Sequence, residues 1–317
     1  MEPIIAPINK CLLQMELTKS KFLKRTNKGD NEIYVITDGD SPNVMLEIGR
    51  LREISFRFAG GGTGKSIDVD EFDKGLNCYK QIIVWDPRGK EILGGYRYIV
   101  ANECSARHLA TSELFKFSDK FTLDYMPWTI ELGRSFVQPD YQSSRRSVKG
   151  IFALDNLWDG LGGLVAKYPD VKYLFGKVTM YTSYNVEARN MLHHFLQKYF
   201  PDKEELVRPI EPLDLKMDEK KMQEVFSGEN YNADYKILSR EVRALGETIP
   251  PLINSYMNLS PTMKTFGCAI NHEFGAVEET GILLTIADIY PEKVDRHINP
   301  PRKKTLQNIL HKRRRHE

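Results

Sequence analysis

The chain is poor in cysteine: four residues in 317 (Cys11, Cys78, Cys104 and Cys268), none in CxxC spacing. Such scatter predicts neither a disulfide framework nor a zinc site, and the expected compartment is a reducing cytoplasm. Long apolar runs are also missing. No window reaches the roughly 18 uninterrupted apolar residues of a membrane span, and the N-terminal MEPIIAPINKCLLQM has no apolar core between a basic start and small cleavage residues. Neither spanning nor secretion is therefore expected. Net charge is small as well, since 45 Lys and Arg against 43 Asp and Glu leave +2. The basic excess gathers in residues 302–317, with Arg302, Lys303, Lys304, Lys312, Arg313, Arg314 and Arg315 against one acid. Such a tail suits peripheral contact with anionic headgroups at the inner membrane surface, or serves as a solubilising end. A nucleic-acid partner is not expected, because the basic residues are confined to the tail and no aromatic reader motif accompanies them.

What is present centres on residues 51–73, LREISFRFAGGGTGKSIDVDEFD. AGGGTGKS fits a phosphate-binding P-loop, with Lys65 and Ser66 for phosphate and metal, and IIVWD at 82–86 mimics the strand that holds magnesium. The surroundings oppose that reading. Met45, Leu46, Ile48, Leu51, Ile54 and Phe58 repeat at helical spacing, so a helix precedes the glycines where a P-loop needs a strand. Asp68, Asp70, Glu71 and Asp73 would also crowd a triphosphate with like charge.

Strands are predicted over 32–37, 79–85, 91–100, 128–137, 172–180, 264–272 and 280–289, and helices over 43–58, up to about 168, 187–200 and 250–259. The turn DPRGK at 86–90 favours an antiparallel hairpin. Residues 102–127 read as a broken polar region, and 201–245 as surface excursions. This order predicts an α/β (α+β) sheet and not a doubly wound nucleotide fold.

Taken in order, LREISFR, IDVDEFD, QIIVWDPRGKEILGGYRY, ELGRSFVQPDY and YLFGKVTM, then PPLINSYMNL and FGAVEETGILLTIADI, resemble the GNAT-like acyltransferases. These include bacterial lipid-forming amino acid N-acyltransferases, many with the legacy label "hemolysin", and more distantly the autoinducer synthases. The resemblance covers residues 30–290. It implies a central mixed, mostly antiparallel sheet flanked by helices: a single domain over 1–300 with a helical insertion at about 183–248, then a basic tail over 301–317. It further implies transfer of a 3-hydroxyacyl chain from acyl carrier protein to the α-amine of glycine or ornithine. The thioester would lie where the strands at 128–137 and 172–180 splay apart, with the acyl-phosphopantetheine as co-substrate and no bound cofactor. Two other readings remain: a non-catalytic module binding acyl carrier protein on the same fold, and a P-loop nucleotide-binding protein.

Amide formation from a thioester requires a neutral amine, a polarised carbonyl and a protonated leaving thiolate. Glu131 is the candidate base, since burial on a strand would raise its pKa, though it could instead pair with Arg134 or Arg97. Positions 131 and 134 point to opposite faces of a regular strand, so Arg134 joins a catalytic pair only if a bulge near Gly133 turns it. Asp70 and Asp73 match the DxxD acids of the autoinducer synthases, and Arg52, Arg97 and Arg134 match arginines there. These would bind the substrate ammonium and carboxylate, or else fasten the helix and its loop to the sheet. Phe56, Phe58, Trp128 and Phe136 are candidates for an acyl tunnel or for core. Ser143, Ser144, Arg145 and Arg146 combine hydroxyls and charge for phosphopantetheine phosphate or acidic carrier protein. Here the chain departs from the glycine-rich pyrophosphate loop of coenzyme A users, which favours carrier protein. His193 and His194 are adjacent and lack the i, i+4 spacing of a metal pair, so no metal is expected. Ser135, Cys104 and Cys268 lack the surroundings of a nucleophile.

Overall fold

The computed structural model describes residues 1–142 and 150–298. The expected phosphopantetheine contacts Ser143, Ser144, Arg145 and Arg146, and the basic tail, lie outside the described residues. An eight-stranded sheet forms the centre. Its strands are β1 (Phe22–Arg25), β2 (Glu32–Ile36), β3 (Lys80–Asp86), β4 (Glu91–Val100), β6 (Thr129–Val137), β7 (Tyr173–Met180), β9 (Lys264–Asn271) and β10 (Val277–Thr285), in the order β1-β2-β3-β4-β6-β7-β10-β9. β5 (Phe115–Phe117) and β8 (Val207–Pro209) form a separate two-stranded ribbon. Every pairing in the large sheet is antiparallel except that of β6 with β7. The expected mixed, mostly antiparallel sheet is what forms.

Alternation along the strands sends side chains to two differently covered faces. On one face Ile82, Val84, Tyr96, Tyr98 and Ile130 pack in a core with α3 (Gly150–Lys167), α4 (Val186–Tyr199), α5 (Glu219–Val225), α6 (Tyr231–Ala244) and α7 (Pro251–Met257). On the other, Ile83, Trp85 and Phe136 pack under α2 (Pro42–Ala59). The far end of that second face is covered by residues 101–128, where Leu109, Phe115 and Phe121 meet Phe175 and Phe266. Residues 102–127, expected as a merely polar break, thus form a series of short helical turns roofing the sheet.

α2 forms because Val44, Met45, Ile48, Leu51 and Phe56 recur on one buried face and Pro42 suits the first turn. Its N-terminal amides are capped from a distance: Glu16, at the end of α1 (Lys10–Glu16), accepts from Asn43 N at 3.1 Å and Val44 N at 2.9 Å. A carboxylate there also opposes the positive end of the helix dipole. Gly60, at φ +98°, ends the helix.

Two irregularities in β6 prepare the site. First, Gly95 pairs with Phe136 and Arg97 with Gly133, so two steps on β4 face three on β6. The expected bulge is present, but Arg134 itself, at φ +50°, takes the left-handed conformation, and Gly133 does not. Second, β6 pairs with β7 for four rungs only, Thr129–Tyr173 to Leu132–Gly176. Beyond Leu132, β6 stays with β4 to Val137 while β7 stays with β10 to Met180, so the two strands part company.

Gly176 marks the last rung, and a Cβ there would stand 2.5 Å from the Leu132 carbonyl oxygen. Because the obstacle is backbone, Gly176→Ala is expected to lower stability by about 1–3 kcal/mol. Urea unfolding checks this; an unchanged midpoint would show that the strands close less tightly than described.

Candidate active site

Between the two cores of the α2-covered face lies a band of charge. Arg52 on α2 is wholly buried and donates to Asp73 at 3.0 Å and to the side-chain oxygen of Gln81. Gln81 in turn donates to the other Asp73 oxygen at 2.8 Å. Arg97 on β4 donates through one nitrogen to both oxygens of Asp70, at 2.6 and 2.8 Å, and lies 3.3 Å from Asp73. Arg134 reaches Asp68 at 3.0 Å and Asp70 at 3.5 Å. Three arginines thus meet three aspartates, and aromatic faces complete their surroundings: the Arg97 guanidinium is 5.0 Å from the Tyr79 ring centre and that of Arg134 is 4.2 Å from that of Phe274.

Electrostatics follows from this packing. Burial alone would raise the Asp73 pKa, but Arg52 and Arg97 overcome it and hold the carboxyl well below the usual carboxylate range. For Arg97, Asp73 and Asp70 outweigh burial and hold the guanidinium firmly charged. The residues expected to bind substrate, Arg52, Asp70, Asp73 and Arg97, are therefore brought together, with most of their hydrogen-bonding capacity spent on one another. Asp70 is the most open of them, its side chain 20% exposed, against none for Arg52 and Asp73.

Glu131 stands apart from that network. It accepts from the Thr111 amide at 2.9 Å and the Thr111 hydroxyl at 2.7 Å, both on Oε1. Its Oε2 is buried and, among the described residues, has no hydrogen-bond partner. The possible pairing with Arg134 is not what forms, because Arg134 is engaged by Asp68 and Asp70. Burial pushes the Glu131 pKa up; Thr111, Lys177 and Arg97 counter this only partly. A buried carboxyl with an elevated pKa and one uncommitted oxygen, on the rung before two strands separate, has the properties of a general base.

Where β6 and β7 diverge, a cavity of about 60 Å³ opens on the face covered by α3 and α7. Leu132, Leu157, Leu161, Trp158 and Tyr256 give it an apolar wall, and Gly133, Arg134, Ser135 and Lys177 form its strand side. Lys177 is paired with Glu279 at 2.9 Å. Among the aromatic candidates, Phe56 and Phe136 are core residues under α2. Trp128 is 41% exposed before β6, with the Lys172 ammonium 4.4 Å from its ring, and Phe58 is 71% exposed. None of the four borders this cavity.

The glycine loop has a different occupation from a phosphate cradle. Thr63 N and Gly64 N donate to Glu53 at 3.1 and 2.8 Å, and Ser66 N donates to Glu2 at 2.8 Å. The anions held by these amides are the protein's own Glu53 and Glu2, and no helix opens at Ser66, the next being the single turn Glu71–Asp73.

A mixed sheet whose two central parallel strands separate beside a buried carboxylate and an apolar cavity is the framework of an acyl-transfer enzyme. Residues 51–149 match the family model described as acetyltransferase (GNAT) domain. Over 303 residues, 94% of this chain, the sequence is 56% identical to a glycine N(alpha)-acyltransferase of Phocaeicola vulgatus, covering 93% of that protein. It is likewise 56% identical over 303 residues to a glycine N(alpha)-acyltransferase of Bacteroides thetaiotaomicron, covering 90% of that protein. The chain belongs to this family of bacterial amino acid N-acyltransferases and is an enzyme. No solved structure matches it.

Sequence reasoning missed Gln81, Thr111 and Lys177, which carry no motif and acquire roles only through contacts distant in sequence. Asp68 was visible in the same acidic run as Asp70 and Asp73, and its service to Arg134 could have been suspected from that company. Removing Arg52 would leave Asp73 buried and short of its closest cation. Arg52→Ala is expected to cost about 3–5 kcal/mol, and Arg52→Ala with Asp73→Ala less than the sum of the single losses. Chemical denaturation of the four proteins of this cycle tests it; strict additivity would deny the coupling.

Proposed function

We propose that the enzyme moves a long acyl chain from the phosphopantetheine thioester of acyl carrier protein to the α-amine of glycine, forming an N-acyl amino acid that is an aminolipid or its precursor. The observation that carries the reading is the buried, half-satisfied Glu131 carboxylate beside the parting of β6 and β7. Glycine is favoured over ornithine by the names of the two relatives, and the small cramped polar band suits a substrate with no side chain. Carrier protein is favoured over coenzyme A by the sequence at 138–149, which lacks a glycine-rich pyrophosphate loop.

In this mechanism the gap between β6 and β7 admits the thioester, whose carbon lies between the polar band on one face and the apolar cavity on the other. Glu131 Oε2 accepts a proton from the α-ammonium, directly or through water. The amine lone pair then attacks the thioester carbon: the C–N bond forms, the carbonyl electrons move to oxygen and return, and the C–S bond breaks. The nitrogen loses two protons in all: the one taken by Glu131 before attack is released to solvent, which restores the carboxylate, and the second, lost as the amide forms, is relayed to the leaving thiolate, so charge and atoms balance. Arg134 and Lys177, at the cavity's edge, supply positive potential for the oxyanion and for the glycine carboxylate. Asp70, Asp73, Arg52 and Arg97 hold that arrangement and give the ammonium a negative neighbour.

The chain's hydrocarbon needs more than 60 Å³. The cavity shares Leu154 and Trp158 with a groove of about 800 Å³ lined by Tyr199, Tyr231, Met257 and Tyr290. The acyl tail passes this neck and continues along the groove, so the two α3 residues govern which chains fit.

Incubation with 3-hydroxyacyl carrier protein and an amino acid panel, read by mass spectrometry, is the direct test. N-acylglycine should dominate, and no N-acyl product from carrier protein would overturn the donor assignment. Glu131→Gln should lower kcat by about 10²–10⁴-fold, and normal turnover would remove Glu131 as base. Because the base works ionised and burial raises its pKa, activity should fall on acidification above the ordinary carboxylate range. The Thr111 hydroxyl favours the ionised form, so Thr111→Val should move that acid limb to higher pH; an unmoved limb would assign it to another group. Leu154→Trp narrows the neck and should lower kcat/KM for long relative to short acyl donors about tenfold or more, whereas an unchanged ratio would place the chain elsewhere.

A further inference from the structure

On the α4-covered side of the β9–β10 edge, among residues that the mechanism above does not use, three metal-ligating side chains from three elements converge. His193 on α4, Cys268 on β9 and Glu278 on β10 present one ligand atom each, all within 4.8 Å of one another. The convergence depends on local structure. At Gly267, φ +80°, β9 carries an extra residue between its Thr265–Ile282 and Cys268–Thr280 pairings. Phe266 therefore enters the core beneath residues 101–128, while Cys268 turns to the α4 side with Glu278 and Thr280.

Among the described residues, two of the three ligand atoms lack partners. His193 Nε2 and Glu278 Oε2 are both buried without a hydrogen bond, 4.0 Å apart, which is too far for one to satisfy the other. His193 is 4% and Cys268 5% exposed, so solvent does little for either. Leaving two polar atoms bare and facing one another costs stability, and such pairs in a native interior call for a missing partner. The other Glu278 oxygen is bound by Arg189 at 2.5 Å, which fixes the carboxylate with Oε2 directed at the histidine.

We propose that His193, Cys268 and Glu278 form a binding site for a divalent zinc-class ion. The nitrogen, sulfur and oxygen set matches the ligands of Zn²⁺, with bonds of roughly 2.0–2.3 Å to each. Those bonds at tetrahedral angles bring ligand atoms to roughly 3.3–3.8 Å from one another, so a widest edge of up to 4.8 Å must close by roughly 1.0–1.5 Å. Rotation of the Cys268 and Glu278 side chains supplies that. On binding, the thiol proton leaves to solvent and the thiolate and carboxylate neutralise the ion's two charges, while Arg189 keeps its contact with Oε1. Three protein ligands leave a fourth position, filled by water. The site ties α4 to the β9–β10 edge, and Glu279, the neighbour of Glu278, holds Lys177 at the acyl cavity. Bound zinc therefore stiffens the strand that positions Lys177 without touching substrate.

Sequence inspection could not have found the site, since its ligands are separated by 75 and 10 positions and only His193 belongs to a histidine pair. The test uses the full chain carrying Cys11→Ser, which removes an exposed thiol that could bind metal adventitiously. After chelation and dialysis, equilibrium with Zn²⁺ alone and elemental analysis should give about one zinc per chain. Co²⁺ in its place should show a thiolate-to-cobalt charge-transfer band. Cys268→Ser should abolish the band, and with His193→Gln should weaken zinc binding at least tenfold, whereas Cys104→Ser should leave both intact. Zinc should also raise the unfolding midpoint of the parent and not of Cys268→Ser, which provides a readout if His193→Gln does not fold. Zinc well below one per chain, or a cobalt band that survives Cys268→Ser, would overturn the assignment.

Discussion

The burial of Arg52 and Arg97, with Arg134 half-buried beside them, is the constraint on which the α2-covered half of the molecule depends. Moving a guanidinium out of water costs several kcal/mol even after relaxation, and each must be met by a carboxylate in the right place. One short stretch supplies all three, Asp68, Asp70 and Asp73. That stretch must therefore lie against α2, β4 and β6 at once, and the chain between α2 and Asp68 has to turn back sharply. The glycines make the reversal possible: Gly60, Gly62 and Gly64 all have positive φ, and Glu53 draws the Thr63 and Gly64 amides back to the helix. A loop whose composition resembles a phosphate cradle is in fact the connection that brings three aspartates to three arginines.

The same network shapes β6. Arg134 adopts a conformation that a residue with a Cβ avoids, and it is held there by Asp68, Asp70 and the Phe274 ring. Turned in this way it joins the face that Glu131 occupies, and it leaves the Glu131 carboxylate without a salt bridge. Thr111, from the roofing segment, contributes only hydrogen bonds to one oxygen. The outcome is a carboxyl poised by desolvation, with Lys177 and Arg97 near enough to moderate its pKa. The charges divide into two sets: one is neutralised within the network, and the Glu131 carboxylate keeps one oxygen uncommitted.

A second division runs through the sheet. Polar chemistry occupies the α2-covered face, and the apolar cavity occupies the α3-covered face. They communicate only because β6 and β7 separate after four rungs. A continuous sheet would isolate a carboxylate from an acyl chain on the other side. Here a backbone divergence, with no special side chain, brings the carboxylate face and the apolar cavity within reach of each other.

Much of this was legible in the residues. Periodicity set α2 nearly to its ends, DPRGK placed the β3–β4 hairpin, and the ordered pieces LREISFR, IDVDEFD and ELGRSFVQPDY identified the acyltransferase family and offered Glu131, Arg52, Asp70, Asp73, Arg97 and Arg134 as candidates, because local pattern and short motifs are properties of neighbouring positions. Sequence fell short where meaning depends on distant contact. Phe56 and Phe136 are as aromatic as any tunnel lining, and only packing under α2 made them core. Residues 102–127 were polar and broken in the sequence, yet their turns deliver Thr111 to Glu131. The cavity lining of Leu132, Leu157, Trp158, Leu161 and Tyr256 comes from a strand and two helices that no motif connects. The sequence by itself determined which elements form and which charges must be neutralised, since both follow from local chemistry. Only the tertiary structure decided which carboxylate stays unpaired, where two strands part and what lies in the gap, since these depend on residues that meet only when the sheet is assembled.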